Sequence, residues 1–205
     1  MPTDTHVIEE PIDGRTARAV RTKDAIVDAT LALIDEGDLR PTGPRIAARA
    51  GVSVRSIFQH FDDLDALFSA VGERVAMRIA GLIRPIDGTA PLSERTQAFL
   101  EQRSTVVESL TPVLRAALVH AASSTVIRGQ FEDGHQFLVA QIEEVFAPEI
   151  AAAGDRGAAL RDGLVVALSW PAWDLLRGAQ GRSVEQAREA TGSMVRALLA
   201  SSASS

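Results

Sequence analysis

The chain has 205 residues, 46% of them hydrophobic and 23% charged, the balance of a soluble globular protein with room for one large domain or two smaller ones. It contains no cysteine, which excludes disulfides, thiolate nucleophiles and cysteine-ligated zinc. The net charge of −6 argues against phosphate binding over the whole surface, but the charge is unevenly spread. From Arg15 to Phe61 eight basic residues stand against five acids, a net +3, whereas residues 1–14 and 62–205 carry −4 and −5. Phosphate attraction confined to one module has this pattern.

In chain order, residues 1–20 hold Pro2, Pro11 and Gly14 without apolar periodicity and read as a flexible arm. Their polar, acidic start lacks the basic flank and apolar core of a signal peptide, and a cytoplasmic location is the expectation. The first helix is predicted to start with Thr22 as its N-cap and to run to Glu36. Ala25, Ile26, Ala29, Leu33 and Ile34 share one face, and Gly37 stops it. Thr42 or Gly43 caps a short second helix with Pro44 in its first turn. Gly51 breaks that helix, and Ser53 caps a third from Val54 to His60 or Phe61. Asp62 and Asp63 then precede a long amphipathic pattern, Leu64 to Ile83, whose positive N-terminal end their carboxylates would favour.

Beyond Pro85, Asp87 and Gly88 the pattern is helical with no credible strand. Helices are predicted near 92–109, 112–122, 124–146, 157–178 and 184–199, with Thr111-Pro112 opening the second of these and Pro171 kinking the fourth. Ser-Ser-Ala-Ser-Ser at 201–205 reads as a disordered tail. The expected fold is all-α with about nine helices, a helix-turn-helix head over 21–67 and a body over 68–200. The longest nearly apolar run, Gly163 to Trp173, is too short to span a bilayer, so no membrane is expected as a partner.

Two short helices joined by Gly51-Val52-Ser53 form the unit that carries chemistry. Ala47, Gly51, Val52, Ile57 and Phe61 are expected to form its buried seam, and Phe58 is expected to plug the core as well. Arg55, Ser56, Gln59 and His60 are left facing outward. Such a unit can lay its second helix in the major groove of double-stranded DNA, where arginine pairs with guanine and glutamine with adenine. Thr22, Thr42 and Ser53 are candidates to hold phosphates.

RTKDAIVDATLALIDEGDLRPTGPRIAARAGVSVRSIFQHFDDLDALF, residues 21–68, resembles the N-terminal domain of the TetR (tetracycline-repressor) family of transcriptional regulators. AWDLLRGAQGRSVEQAREATGSMVRALL, residues 172–199, is similar to the last two helices of many members. The resemblance implies an all-helical homodimer with a DNA-reading head and a variable ligand-binding body. It implies DNA contacts at Thr42 and, on the recognition helix, at Ser53, Val54, Arg55, Ser56, Gln59 and His60; Thr22 and Arg45 are further DNA-binding candidates. The chain departs from the family at Phe58, where tyrosine is usual, and at Leu64, where lysine is usual. In the family both usual residues touch the DNA backbone, so binding is expected to be weaker or more dependent on arginines, with Arg15, Arg18, Arg21, Arg45 and Arg55 compensating. A repressor released from its operator by an unknown small molecule is the expected function. The alternative is a ligand-binding protein of the same fold with weakened or lost DNA binding.

In the body, His120, Phe131, His135 and Trp170 are candidate ligand contacts. Leu164, Leu168 and Trp173, with Val195, Leu198 and Leu199, are candidates for a four-helix interface with a second copy. Asp62, Asp63 and Asp65 invite a magnesium reading, but residues two apart on a helix diverge by about 200°, and capping accounts for them better. Neither a Ser-His-Asp nor an HExxH arrangement occurs, nor a Gly-rich phosphate loop. No enzyme, metal or cofactor is expected.

Overall fold

A computed structural model describes residues 14–202, except for the side chains of Arg15 and Ser202. Ten α-helices follow one another: α1 (Gly14–Asp35), α2 (Gly43–Ala50), α3 (Val54–His60), α4 (Leu64–Ala80), α5 (Leu92–His120), α6 (Thr125–Val145), α7 (Ala147–Ala152), α8 (Gly157–Leu168), α9 (Trp170–Asp174) and α10 (Val184–Ser202). A 3-10 turn at Gly154–Arg156 and a π turn at Leu175–Ala179 join the later ones, and no strand occurs among the described residues. The all-helical fold is therefore as the sequence suggested.

The first helix starts earlier than its sequence pattern indicates. Thr22 lies within α1, where its hydroxyl donates to the Arg18 carbonyl at 3.0 Å instead of capping a helix start. Residues 14–20 of the expected arm are thus helical, while 1–13, and 203–205 of the tail, lie outside the described residues. At its other end α1 closes as foreseen. Gly37 adopts φ +95°, its N–H bonds Ile34 O, and the Asp38 N–H bonds Leu33 O. This pair of bonds satisfies carbonyls that the helix end would otherwise orphan.

Two of the helix breaks fall elsewhere. Pro112 sits inside a continuous α5. The bond its missing N–H forfeits is offset by neighbours gripping the same turn. Thr111 Oγ1 donates to Val107 O at 2.7 Å and accepts from Trp170 Nε1 at 3.2 Å, while Arg78 donates to Ser109 O at 2.9 Å. Pro171, by contrast, follows a true break. Ser169 is extended (ψ 154°), caps α9 through its hydroxyl, and leaves Pro171 in a first turn where no N–H is needed.

Packing divides into a head and a body. Ile26, Val27, Leu33, Ile46, Ala47, Ile57, Phe61, Leu67 and Val71 form one apolar cluster drawn from α1 to α4. A larger one joins Phe99, Leu100, Leu138, Ile142, Phe146, Leu160, Leu164, Leu168, Val195 and Leu199, with Phe99 and Phe146 edge to face at 5.7 Å. A third, smaller cluster sets Trp170 and Trp173 against Val107 and Ala187. Between Pro91 and α7, Arg95 is buried in a bidentate pair with Glu149 and also donates to the carbonyls of Ala90 and Val145.

Candidate nucleic-acid interface

The turn between α2 and α3 is built by three residues. Gly51 takes φ +66°, a left-handed conformation open to glycine at no steric cost. Its neighbour Val52 sends its N–H back to Ala47 O at 3.0 Å, and the Ser53 hydroxyl accepts from Ser56 N at 3.1 Å to start α3. Ile57 and Phe61, four residues apart, turn into the head core, and Lys23 holds its ammonium 5.6 Å from the Phe61 ring centre. Arg55 and Gln59, the other four-spaced pair, are exposed, as are Thr42 and Arg45; Ser56 and His60 are half-buried. One open face therefore presents an arginine, a glutamine and a free threonine hydroxyl.

Phe58 does not plug the core. Its ring is 57% exposed, beside Val54 at 37% on the same outer flank of α3. The reason is angular: Phe58 stands about 100° round the helix from Ile57, and the core has space for only one flank of so short a helix. Next along, Asp63 caps α4 through a bond from Ala66 N at 2.8 Å, as expected of that carboxylate, and Leu64 is 56% exposed. Among the described residues no group of three or more His, Asp or Glu is placed to hold a metal ion.

Ion pairs decide which cations remain for phosphate. Arg45 is held by Asp38 at 2.8 Å and Arg49 by Glu36. Arg74 bridges Asp24 and Asp28, and Arg78 reaches Asp35. Arg18, Arg21, Arg40 and Arg55 form no such pair among the described residues. Arg45 is thus a poorer compensating group than its position in the sequence suggests.

In the body the four expected ligand residues do not converge. Trp170 is buried with its N–H spent on Thr111, and His135 is exposed. His120 lies 5.0 Å from the Phe68 ring, and burial, helped by the charge of Arg40, lowers its pKa. A groove of about 430 Å³ opens elsewhere, between the end of α4, the 81–91 linker, α5 and α6. Phe99, Gln102, Phe137 and Gln141 line it, none of them among the candidate ligand contacts. Only their i, i+3 and i, i+4 spacing on two helices could have grouped them. The expected interface residues also move. Leu164, Leu168, Trp173, Val195 and Leu199 are buried within the single chain and have no surface left for a second copy; Leu198 alone stays partly exposed.

Residues 26–71 match the sequence model of the bacterial regulatory proteins of the tetR family. The head thus resembles that of the tetR-family regulatory proteins. Three solved structures share the fold of nearly the whole chain. A transcriptional regulator from Rhodococcus sp. RHA1 superposes with TM-score 0.63 at 17% identity, covering 89% of this chain and 96% of its own. A protein from Mesorhizobium loti, assigned to the TetR-family transcriptional regulators, gives 0.62 at 19%, covering 90% and 98%. One from Pseudomonas aeruginosa, assigned as a transcriptional regulator, gives 0.55 at 22%, covering 93% and 97%. At these identities the likeness carries the fold alone. No curated protein matches the chain. Among the described residues no helix is long and apolar enough to cross a membrane.

Proposed function

We propose that this protein is a TetR-family regulator, a homodimeric repressor that binds an operator through α3 and leaves it when a small molecule fills the body. The observation that carries the reading is the open face of α3, where Arg55 and Gln59 project from a helix fixed by the Gly51 turn and the Ser53 cap. Thr42 and the N-terminal ends of α2 and α3 supply phosphate donors beside it. Two such heads on a two-fold axis address half-sites about 34–36 Å apart.

The dimer seam falls on the outer flank of α8 and α10. Gly163 lets Leu198 pack close to α8, and Val166 and Met194, about one turn away on either helix, are 67% and 40% exposed. Small and apolar residues on neighbouring helix flanks suit a self-complementary four-helix contact. The groove on Phe99 and Phe137 falls within the range of ligand pockets, about 300–1,000 Å³, and it adjoins α4, which leads to the head.

Selection of genomic fragments on the purified protein, followed by anisotropy titration, tests this. Arg55→Ala should weaken the selected site by about 1–3 kcal/mol and relax its sequence preference. Selection that enriches no sequence, or binding indifferent to Arg55→Ala, would refute it. The exposed Leu64 beside Asp62 and Asp63 favours the second reading, a protein that keeps the fold and its ligand but has lost the operator; failure of selection alongside saturable ligand binding would establish that one.

A further inference from the structure

Between α5, the end of α8, α9 and α10 lies a second cavity of about 10 Å³, room for one water or one oxygen atom. Its charge is lopsided. Arg103 and Arg188 both line it, and among the described residues neither has a carboxylate within ion-pair distance. Arg103 donates through Nε to Leu168 O at 2.8 Å, and Arg188 through Nε to the Ser104 hydroxyl at 2.9 Å. The η nitrogens of both have no hydrogen-bond partner among the described residues. Of the nearby acids, Glu108 is taken by Arg177 and the Trp173 N–H, and Glu185, which accepts from the Ser183 hydroxyl, faces Arg188 from beyond contact distance. Thr191, 6% exposed, lines the same cavity with a hydroxyl that has no partner.

A water in the cavity would satisfy Thr191 and leave both guanidinium groups without a carboxylate in contact. One of them is enclosed deeply enough that burial pulls the Arg103 pKa down to about 10. An anionic oxygen would satisfy the hydroxyl and neutralise the charge together. The remaining wall is mostly apolar, and the hydroxyls of Ser104 and Ser169 that share it already donate to the Glu101 and Val166 carbonyls, so it offers little to a strongly hydrated dianion. We propose that this cleft binds the carboxylate of a small apolar acid, one oxygen seated between Arg103, Arg188 and Thr191 and the carbon skeleton, for which the cavity has no room, left at its mouth. It lies apart from the groove on Phe99 and Phe137, and it stands whether or not the head binds an operator. The bound acid would tie α5 to the ends of α8 and α10.

The experiment uses the full chain without DNA, with benzoate and hexanoate as probes and phosphate and chloride at matched ionic strength, read by calorimetric titration and thermal unfolding. Both carboxylates should bind saturably and raise Tm. Arg103→Met should weaken them by at least about tenfold, the loss expected when a charge-assisted bond disappears. That variant exchanges an uncompensated charge for an apolar chain of similar length; should it fail to fold, Arg188→Gln, which keeps a donor toward Ser104, takes its place. Thr191→Val should weaken binding severalfold. The proposal is overturned if carboxylates do not bind saturably, if phosphate or chloride stabilises equally, or if the arginine variants bind like the parent.

Discussion

Replacing Leu64 by lysine tests the junction of head and body most directly. The side chain is 56% exposed at the first position of α4, directly after the Asp63 cap, so less than half of its apolar burial is at stake. A fully buried leucine is worth about 1.5–3 kcal/mol, and the lysine stem would keep part of the contact. A cation at a helix N-terminus costs about 0.3–1 kcal/mol, partly offset by Asp62, Asp63 and Asp65. The net loss of stability is therefore about 1 kcal/mol, small enough for the variant to fold. On DNA, each new phosphate contact adds about 0.9 to the slope of log K against log salt, hence about 1.8 for two heads. Between 1 M and 0.1 M salt that is about 60-fold in relative affinity. Phe58→Tyr is the control, because its ring already faces outward. The added hydroxyl is a neutral donor that should tighten binding by about 0.5–1.5 kcal/mol per head while releasing no counterion. Anisotropy titrations from 50 to 200 mM salt separate the two effects. If Leu64→Lys leaves the slope unchanged, or Phe58→Tyr steepens it, the placement of these side chains toward the backbone is refuted.

Three further outcomes follow from the packing. Arg95→Met should destabilise the body by about 3–5 kcal/mol in urea unfolding, because it strands the partly buried Glu149 carboxylate and the Val145 carbonyl. His120 has a pKa held below its ordinary value by burial and then by Arg40, so the unfolded chain takes up the proton first. Stability should be full above the ordinary histidine pKa and fall as pH drops toward the folded value, and His120→Gln should flatten that fall in unfolding midpoints between pH 7 and 5. Gly72→Ala would place a methyl 2.0 Å from Gln130 Nε2, whose bond to Phe68 O joins α4 to α6. Amide exchange should quicken at the start of α6 and remain unchanged in α2 and α3.

The head was legible because its signals are local. Gly51, Ser53 and Asp63 each act through their own backbone or the next turn, and all three do in the structure what their residue type implies. Phe58 was misread for want of one tertiary fact. The pairs Val54–Phe58 and Ile57–Phe61 have the same helical spacing, and hydrophobicity cannot say which of two apolar flanks meets the core. Pro112 is missed in the same way: it stays inside a helix while Arg78 and Trp170, far away in sequence, engage its turn. An apolar helix such as α8 looks alike whether its partners come from its own chain or another. Leu164 and Leu168 proved to be core, and only the exposure of Val166 marks the other flank.

Helix α4 joins head and body, together with the packing of α1 and Val113 of α5, and its bonds set terms for any signal between them. On the head side Arg74 binds Asp24 and Asp28, and Arg78 binds Asp35, all on α1. Toward the body, Arg78 also donates to Ser109 O on α5, and Phe68 O accepts from Gln130 on α6. Arg78 thus holds both sides with one guanidinium. A ligand wedged at the far end of α4, near Ala80 and Ile83, must either carry α1 along with the helix or break exposed ion pairs worth about 0–1 kcal/mol each. Carrying α1 is the cheaper course, because α1 and α4 also share the buried cluster of Ile26, Leu67 and Val71. The head would then move as a rigid unit. Release would come from altered spacing between two intact recognition helices, with α3 itself unchanged.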